Sequence, residues 1–132
     1  MSTGQRILLD THIWLWYLLG DERLPRRIRL LLEDEKTELY LSPISVWEAH
    51  LLIEKGRLPV TESPVDWISR AQRQLPVRDA RLTAAIAMRS RVIALTHDDP
   101  ADRFIAATAI EMRLPLATVD ARLVACSELR CY

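Results

Sequence analysis

The chain has 132 residues, 49% hydrophobic and 27% charged, and its 18 basic residues balance 18 acidic ones for a formal net charge of zero. That length suits one folded unit with a proper core, and the composition excludes a disordered chain. The balance supplies no global positive field to steer a polyanion, and no stretch reaches the roughly 20 apolar residues that span a bilayer. The N-terminus lacks a basic start followed by an apolar leader, so a cytoplasmic single domain over residues 1–132 is expected, with no membrane partner.

The first informative stretch is Arg6-Ile7-Leu8-Leu9-Asp10-Thr11-His12. An apolar run too short for a helix, bounded by polar residues, reads as a buried parallel strand. In open α/β sheets, ligands bind beyond the carboxyl ends of the strands, where Asp10 falls. A helix is predicted over Ile13–Leu19, with Gly20 as its C-terminal cap. Its large apolar residues occupy every side, which fits either a central core helix or a helix shared with a partner.

Pro25 opens a second helix, Pro25–Glu35, with Ile28, Leu31 and Leu32 inward and Arg26, Arg27 and Arg29 outward. A short strand follows at Glu38–Leu41. Ser42-Pro43 is a helix start, Ser as N-cap and Pro in the first turn, and this helix runs to Lys55 before Gly56. Ile44, Trp47 and Leu51 lie on one side of it, and Glu48 shares that apolar stripe. A glutamate on a buried face is costly unless it is paired or holds a metal.

A helix is expected from Pro64 to Arg73, with Val65, Trp67 and Ile68 in the core. Leu75-Pro76-Val77 is a candidate strand, and Asp79 or Thr83 a cap for a helix over Ala80–Ser90. Asp99-Pro100 repeats the helix-start chemistry. Asp102 then stands where the helix dipole favours an acid, at the head of the stripe Ile105, Ala106, Ala109. Asp99 reads as a cap rather than a ligand. Finally, Leu114–Val119 forms a second apolar strand ending in Asp120, which mirrors Asp10 and also suits the cap of a short helix, Ala121–Cys126.

Asp10, Glu48, Asp102 and Asp120 therefore come from two strand ends and two helix faces. Packed together without a cation, they would raise one another's pKa values. Hard divalent cations with oxygen ligands relieve this, and magnesium or manganese fits an all-carboxylate set. Such a site supports in-line displacement at phosphorus, with Arg103 or surface arginines placing the phosphate backbone. Thr11 and Thr118 add hydroxyls nearby. Cys126 and Cys131 have no zinc-ligand spacing and read as packing residues or free thiols. His12, His50 and His97 are scattered and read as structural, although His97 is near enough to the acidic segment to reach substrate.

The strand Leu8-Leu9-Asp10-Thr11-His12, the block Ser42-Pro43-Ile44-Ser45-Val46-Trp47-Glu48, the segment Asp99-Pro100-Ala101-Asp102-Arg103-Phe104-Ile105-Ala106 and the Thr118-Val119-Asp120 end together resemble the PIN-domain family, in particular VapC-like toxins of type II toxin–antitoxin modules. The resemblance implies a PIN-like three-layer α/β fold with a short central parallel sheet flanked by helices. It implies a Mg²⁺- or Mn²⁺-dependent endoribonuclease, commonly a homodimer, acting on RNA and inhibited by a cognate antitoxin protein. By position, Asp10, Glu48, Asp102 and Asp120 match the family's acidic quartet. Thr11, Ser45 and Thr118 match its polar helpers, and Asp99 an auxiliary acid. Two other functions remain open from the residues themselves. One is a small metal-dependent phosphatase with Asp10 as nucleophile, which would want a second acid where His12 stands. The other is a non-catalytic binding module whose acids hold a cation for stability.

Overall fold

The computed structural model describes residues 4–132. Four parallel strands form its sheet: β1 (Arg6–Leu9), β2 (Glu38–Leu41), β3 (Arg78–Asp79) and β4 (Leu116–Ala117), in the order β3-β2-β1-β4. Around it lie α1 (Thr11–Leu19), α2 (Arg26–Glu33), α3 (Pro43–Glu54), α4 (Pro64–Gln74), α5 (Ala84–Val92), α6 (Pro100–Met112) and α7 (Ala121–Val124).

Strand alternation divides the interior into two cores. Ile7, Leu9, Leu39 and Leu41 face one side, where they meet Ile13, Trp14 and Leu15 of α1, Ile28 and Leu32 of α2 and Trp67 of α4. Leu8, Tyr40 and Leu116 face the other, against Ile105, Ala106 and Ala109 of α6 and Leu123 of α7. The sheet is thus covered on both faces, as parallel strands require, giving the three-layer α/β arrangement expected.

Helix boundaries follow the chemistry of their caps. Gly20 closes α1 at φ 65°, a left-handed conformation that costs a residue with a side chain more than glycine. The Ser42 hydroxyl accepts from the Ile44 amide ahead of α3, and the Asp99 carboxylate accepts from the Ala101 and Asp102 amides ahead of α6, each with proline next in the chain.

Several expectations need correction. The third strand is not Leu75-Pro76-Val77 but Arg78–Asp79, because proline has no amide to give a ladder and Leu75 instead caps α4 and packs inward. The helix that follows starts at Ala84, with Thr83 rather than Asp79 as its cap. The first helix begins at Thr11, so Asp10 is itself an N-cap, accepting from the Thr11 amide. Val65 and Trp47 are not core residues, being 65% and 57% exposed. The face of α3 turned inward carries the small residues Ser45 and Ala49, where α3 packs against α1 and α6. Hydrophobic periodicity does not reveal a contact made through small side chains. Of α1, Ile13, Trp14 and Leu15 are fully enclosed and Trp16, Tyr17, Leu18 and Leu19 only partly so. Among the described residues, no helix is long and apolar enough to cross a membrane.

Candidate active site

Asp10 follows β1 directly, and its amide donates to the Ala117 carbonyl of β4 at 3.0 Å. This pairing sets the carboxyl ends of β1 and the edge strand β4 side by side. Asp120 lies three residues beyond β4, with Thr118 between the two acids. The Thr118 hydroxyl donates to Asp10 Oδ2 at 2.7 Å and accepts from the Asp120 amide at 3.0 Å. Glu48 comes across from α3. Its Oε1 accepts from the Thr11 hydroxyl at 2.6 Å, and Ser45 lies 2.8 Å from the same hydroxyl on its other side. Asp102 enters from the first turn of α6.

These groups border one cleft of about 330 Å³, lined by Asp10, Glu48, Asp99, Asp102 and Asp120 together with His12, Trp16, Arg23 and Arg122. The four acids expected to converge do so. Ser45, Thr11 and Thr118 are fully buried behind them, fixing carboxylates rather than facing the opening. Asp99 borders the cleft while capping α6, so its two readings coincide.

The electrostatics divide the acids. Burial raises the pKa of Asp10 above the ordinary carboxylate range, against the lowering effect of the Thr118 hydrogen bond, and the charge of Asp102 adds to the rise. Glu48 and Asp102 are raised first by burial and then by neighbouring acids, partly offset by hydrogen bonds from Thr11 and His97 respectively. Asp120 is lowered instead, chiefly because the Arg122 guanidinium bonds to it. The Arg122 guanidinium lies 3.1 Å from Asp120 Oδ2 and 3.8 Å from Asp102 Oδ2. Three acids that resist ionisation and a guanidinium drawn over the fourth show a site short of positive charge.

Arg103 requires a correction. It was expected to help place a phosphate backbone, but it is only 7% exposed and points away from the opening. Its guanidinium donates to the carbonyls of Ser90, Ile93, His97 and, at 3.4 Å, Arg91. It fastens the segment between α5 and α6, and with it His97, whose Nε2 is 2.9 Å from Asp102 Oδ2. Sequence reasoning missed Arg122 at the cleft altogether and gave His97 little weight. The one available signal was the position of Arg122 two residues after Asp120, in the first turn that this acid caps.

One ligand atom from each of His97, Asp102 and Asp120 can be chosen so that all lie within 4.8 Å of one another. Small side-chain adjustments would close such a set around a divalent ion. The charge-poor interior and the guanidinium standing beside Asp120 and Asp102 fit the same conclusion: the residues present suit a divalent cation.

The chain is a three-layer α/β protein with an acidic cleft beyond the carboxyl ends of its parallel strands, and comparison with known proteins identifies its family. The sequence matches the family model for the PIN domain over residues 7–128. It is 32% identical over 120 residues to Ribonuclease VapC22 of Mycobacterium tuberculosis, covering 89% of this chain and 88% of that one. Two solved structures extend the likeness in three dimensions. One is VapBC2 from Rickettsia felis bound to a promoter DNA fragment, with a TM-score of 0.68, 16% identity and coverage of 97% of this chain and 98% of that one. The other is FitAcB from Neisseria gonorrhoeae, with a TM-score of 0.62, 25% identity and 96% coverage of both chains. The chain belongs to the PIN domain family.

Proposed function

We propose that the protein is a divalent-metal-dependent endoribonuclease and the toxin of a toxin–antitoxin pair. The observation that carries this reading is the meeting of Asp10, Glu48, Asp102 and Asp120 in one cleft, three of them with raised pKa values. The similarity to a protein named as a ribonuclease supports RNA as the substrate class. A structural neighbour from Klebsiella pneumoniae described as a toxin–antitoxin complex supports a protein inhibitor as partner, and assembly as a homodimer belongs to the same proposal.

Magnesium or manganese would be held by the four carboxylates, and when bound it supplies charge neutralisation at the phosphate and lowers the pKa of the attacking water. The chain's own residues prepare for this. Thr118 orients Asp10 Oδ2, and the Ser45–Thr11 pair orients Glu48, so the oxygens need little reorganisation when the phosphodiester arrives. Arg122 and Arg23, both exposed and bordering the cleft, are cations in reach of the substrate's phosphates. Arg103 acts at one remove by holding the segment that carries His97.

For the antitoxin, the outer side of α1 is the reading offered. Trp16 and Leu19 border a groove of about 420 Å³ with Leu52 and Leu58, continuous with the acidic cleft through His12, Trp16 and Arg23. Trp14 is fully enclosed and takes no part in this surface. Slowed hydrogen exchange over residues 13–19 in the complex is expected; unchanged exchange there would remove the groove from the proposal.

The test of the activity is sequencing of RNA 5′ ends after induced expression, with Asp10→Asn as control. New ends at defined sites, absent from the variant, are expected. Identical end profiles for both proteins, or hydrolysis of small phosphate esters without any RNA cleavage, would overturn the reading.

A further inference from the structure

His97 stands against Asp102, one of the cleft's acids, and a reading based on four acids leaves it unused. Its side chain is 11% exposed, and Nε2 faces Asp102 while Nδ1 is buried without a hydrogen-bond partner among the described residues. The segment bearing it is not left to find its own position. Arg103, a buried guanidinium, donates to carbonyls at the end of α5 and within that segment, including that of His97 itself. Burying an arginine for this purpose is costly, and the return is a histidine held in a fixed place.

That place is beside Asp102 and Asp120, with ligand atoms of all three within 4.8 Å of one another. The Arg122 guanidinium, on a side chain 52% exposed, already brings positive charge to both carboxylates. We propose that His97 is a metal ligand, forming with Asp102 and Asp120 a cation position that prefers a transition ion such as Mn²⁺ over Mg²⁺. Magnesium demands oxygen ligands and gives up its waters reluctantly, whereas imidazole nitrogen suits transition ions. An imidazole that merely oriented Asp102 would leave the bound ion surrounded by oxygen alone.

The inference rests on the reading that the cleft takes a divalent ion, and one experiment separates the two. The full chain is loaded with Mn²⁺ and examined by pulsed electron paramagnetic resonance for coupling to ligand nitrogen. The expected spectrum shows a nitrogen coupling that changes on incorporation of ¹⁵N-histidine, disappears in His97→Gln and survives in His12→Gln. By titration, His97→Gln should weaken Mn²⁺ binding roughly tenfold or more, with a much smaller change for Mg²⁺. Mn²⁺ bound without nitrogen coupling would overturn the role of His97 and leave the cation site standing. Coupling lost in His12→Gln instead would transfer the role to His12 and overturn the proposal. Absence of any divalent binding would overturn both. If His97→Gln does not fold, the labelled wild-type spectrum and His12→Gln still decide the matter.

Discussion

Asp10 and Asp120 follow adjacent parallel strands and share the Thr118 hydroxyl, yet their surroundings are opposite. Asp10 is 5% exposed, makes no ion pair with an arginine or lysine among the described residues and is raised in pKa. Asp120 is more open, pairs with Arg122 and is lowered. The sheet edge therefore offers one carboxylate that needs a cation and one that already borrows one. Missing positive charge is therefore felt at Asp10, in the inner half of the cleft, whereas Arg122 already supplies it to Asp120 in the outer half.

The sharpest way to probe this contrast is to neutralise each acid in turn. Asp10→Asn should lower RNA cleavage roughly a hundredfold or more. In metal-free protein at neutral pH the same change should raise Tm, because a buried charge is removed while amide hydrogen bonding to Thr118 stays available. Asp120→Asn should also impair cleavage but leave Tm almost unchanged, since asparagine caps α7 as well as aspartate does. Equal Tm responses to the two changes, measured by differential scanning calorimetry, would erase the distinction.

Removing the support on the outer side comes next. Arg103→Ala strands several buried carbonyls and should cost about 3 kcal/mol, read as a lowered urea midpoint. Arg103→Lys should recover little of it, because an ammonium cannot span the same carbonyls. A smaller effect, about 1–2 kcal/mol, is expected from Thr118→Val. That change deprives Asp10 of the hydrogen bond holding its pKa down, so the acid limb of the cleavage profile should move to higher pH.

The mildest test needs no mutation. Because Asp10, Glu48 and Asp102 are raised in the folded state, the native protein binds protons more readily than the unfolded chain. Their contribution to stability is present at acid pH and lost as pH rises through the raised values. Metal-free Tm should therefore climb as pH falls from neutral towards the ordinary carboxylate range. Asp120 opposes this only when pH drops through its own lowered value. Saturating Mn²⁺ should flatten the dependence, and a metal-free Tm that falls steadily over the same interval would contradict the assignment.

Much of this frame was legible in the residues. Ser42-Pro43 and Asp99-Pro100 announce helices because cap and proline act locally, and Asp10 and Asp120 stand out because each ends an apolar run. What escaped depended on distant partners. Trp47 reads as core by spacing, yet α3 turns Ser45 and Ala49 inward instead. Arg103 reads as a phosphate ligand by charge, yet its partners are carbonyls 6 to 13 residues earlier, at the end of α5 and in the segment after it, whose path no local pattern encodes. The mirror symmetry inferred for Asp10 and Asp120 fails for the same reason: strand ends are local, but the burial of one and the guanidinium over the other belong to the assembled cleft.

The central claim, that these carboxylates serve a divalent cation in the hydrolysis of RNA, is tested most directly by cleaving a defined RNA with purified protein in ¹⁸O-water. Cleavage should be absent in EDTA and return on adding Mg²⁺ or Mn²⁺, with one heavy oxygen in each newly formed terminal phosphate. Undiminished cleavage in EDTA, or products ending in unlabelled 2′,3′-cyclic phosphate, would contradict it.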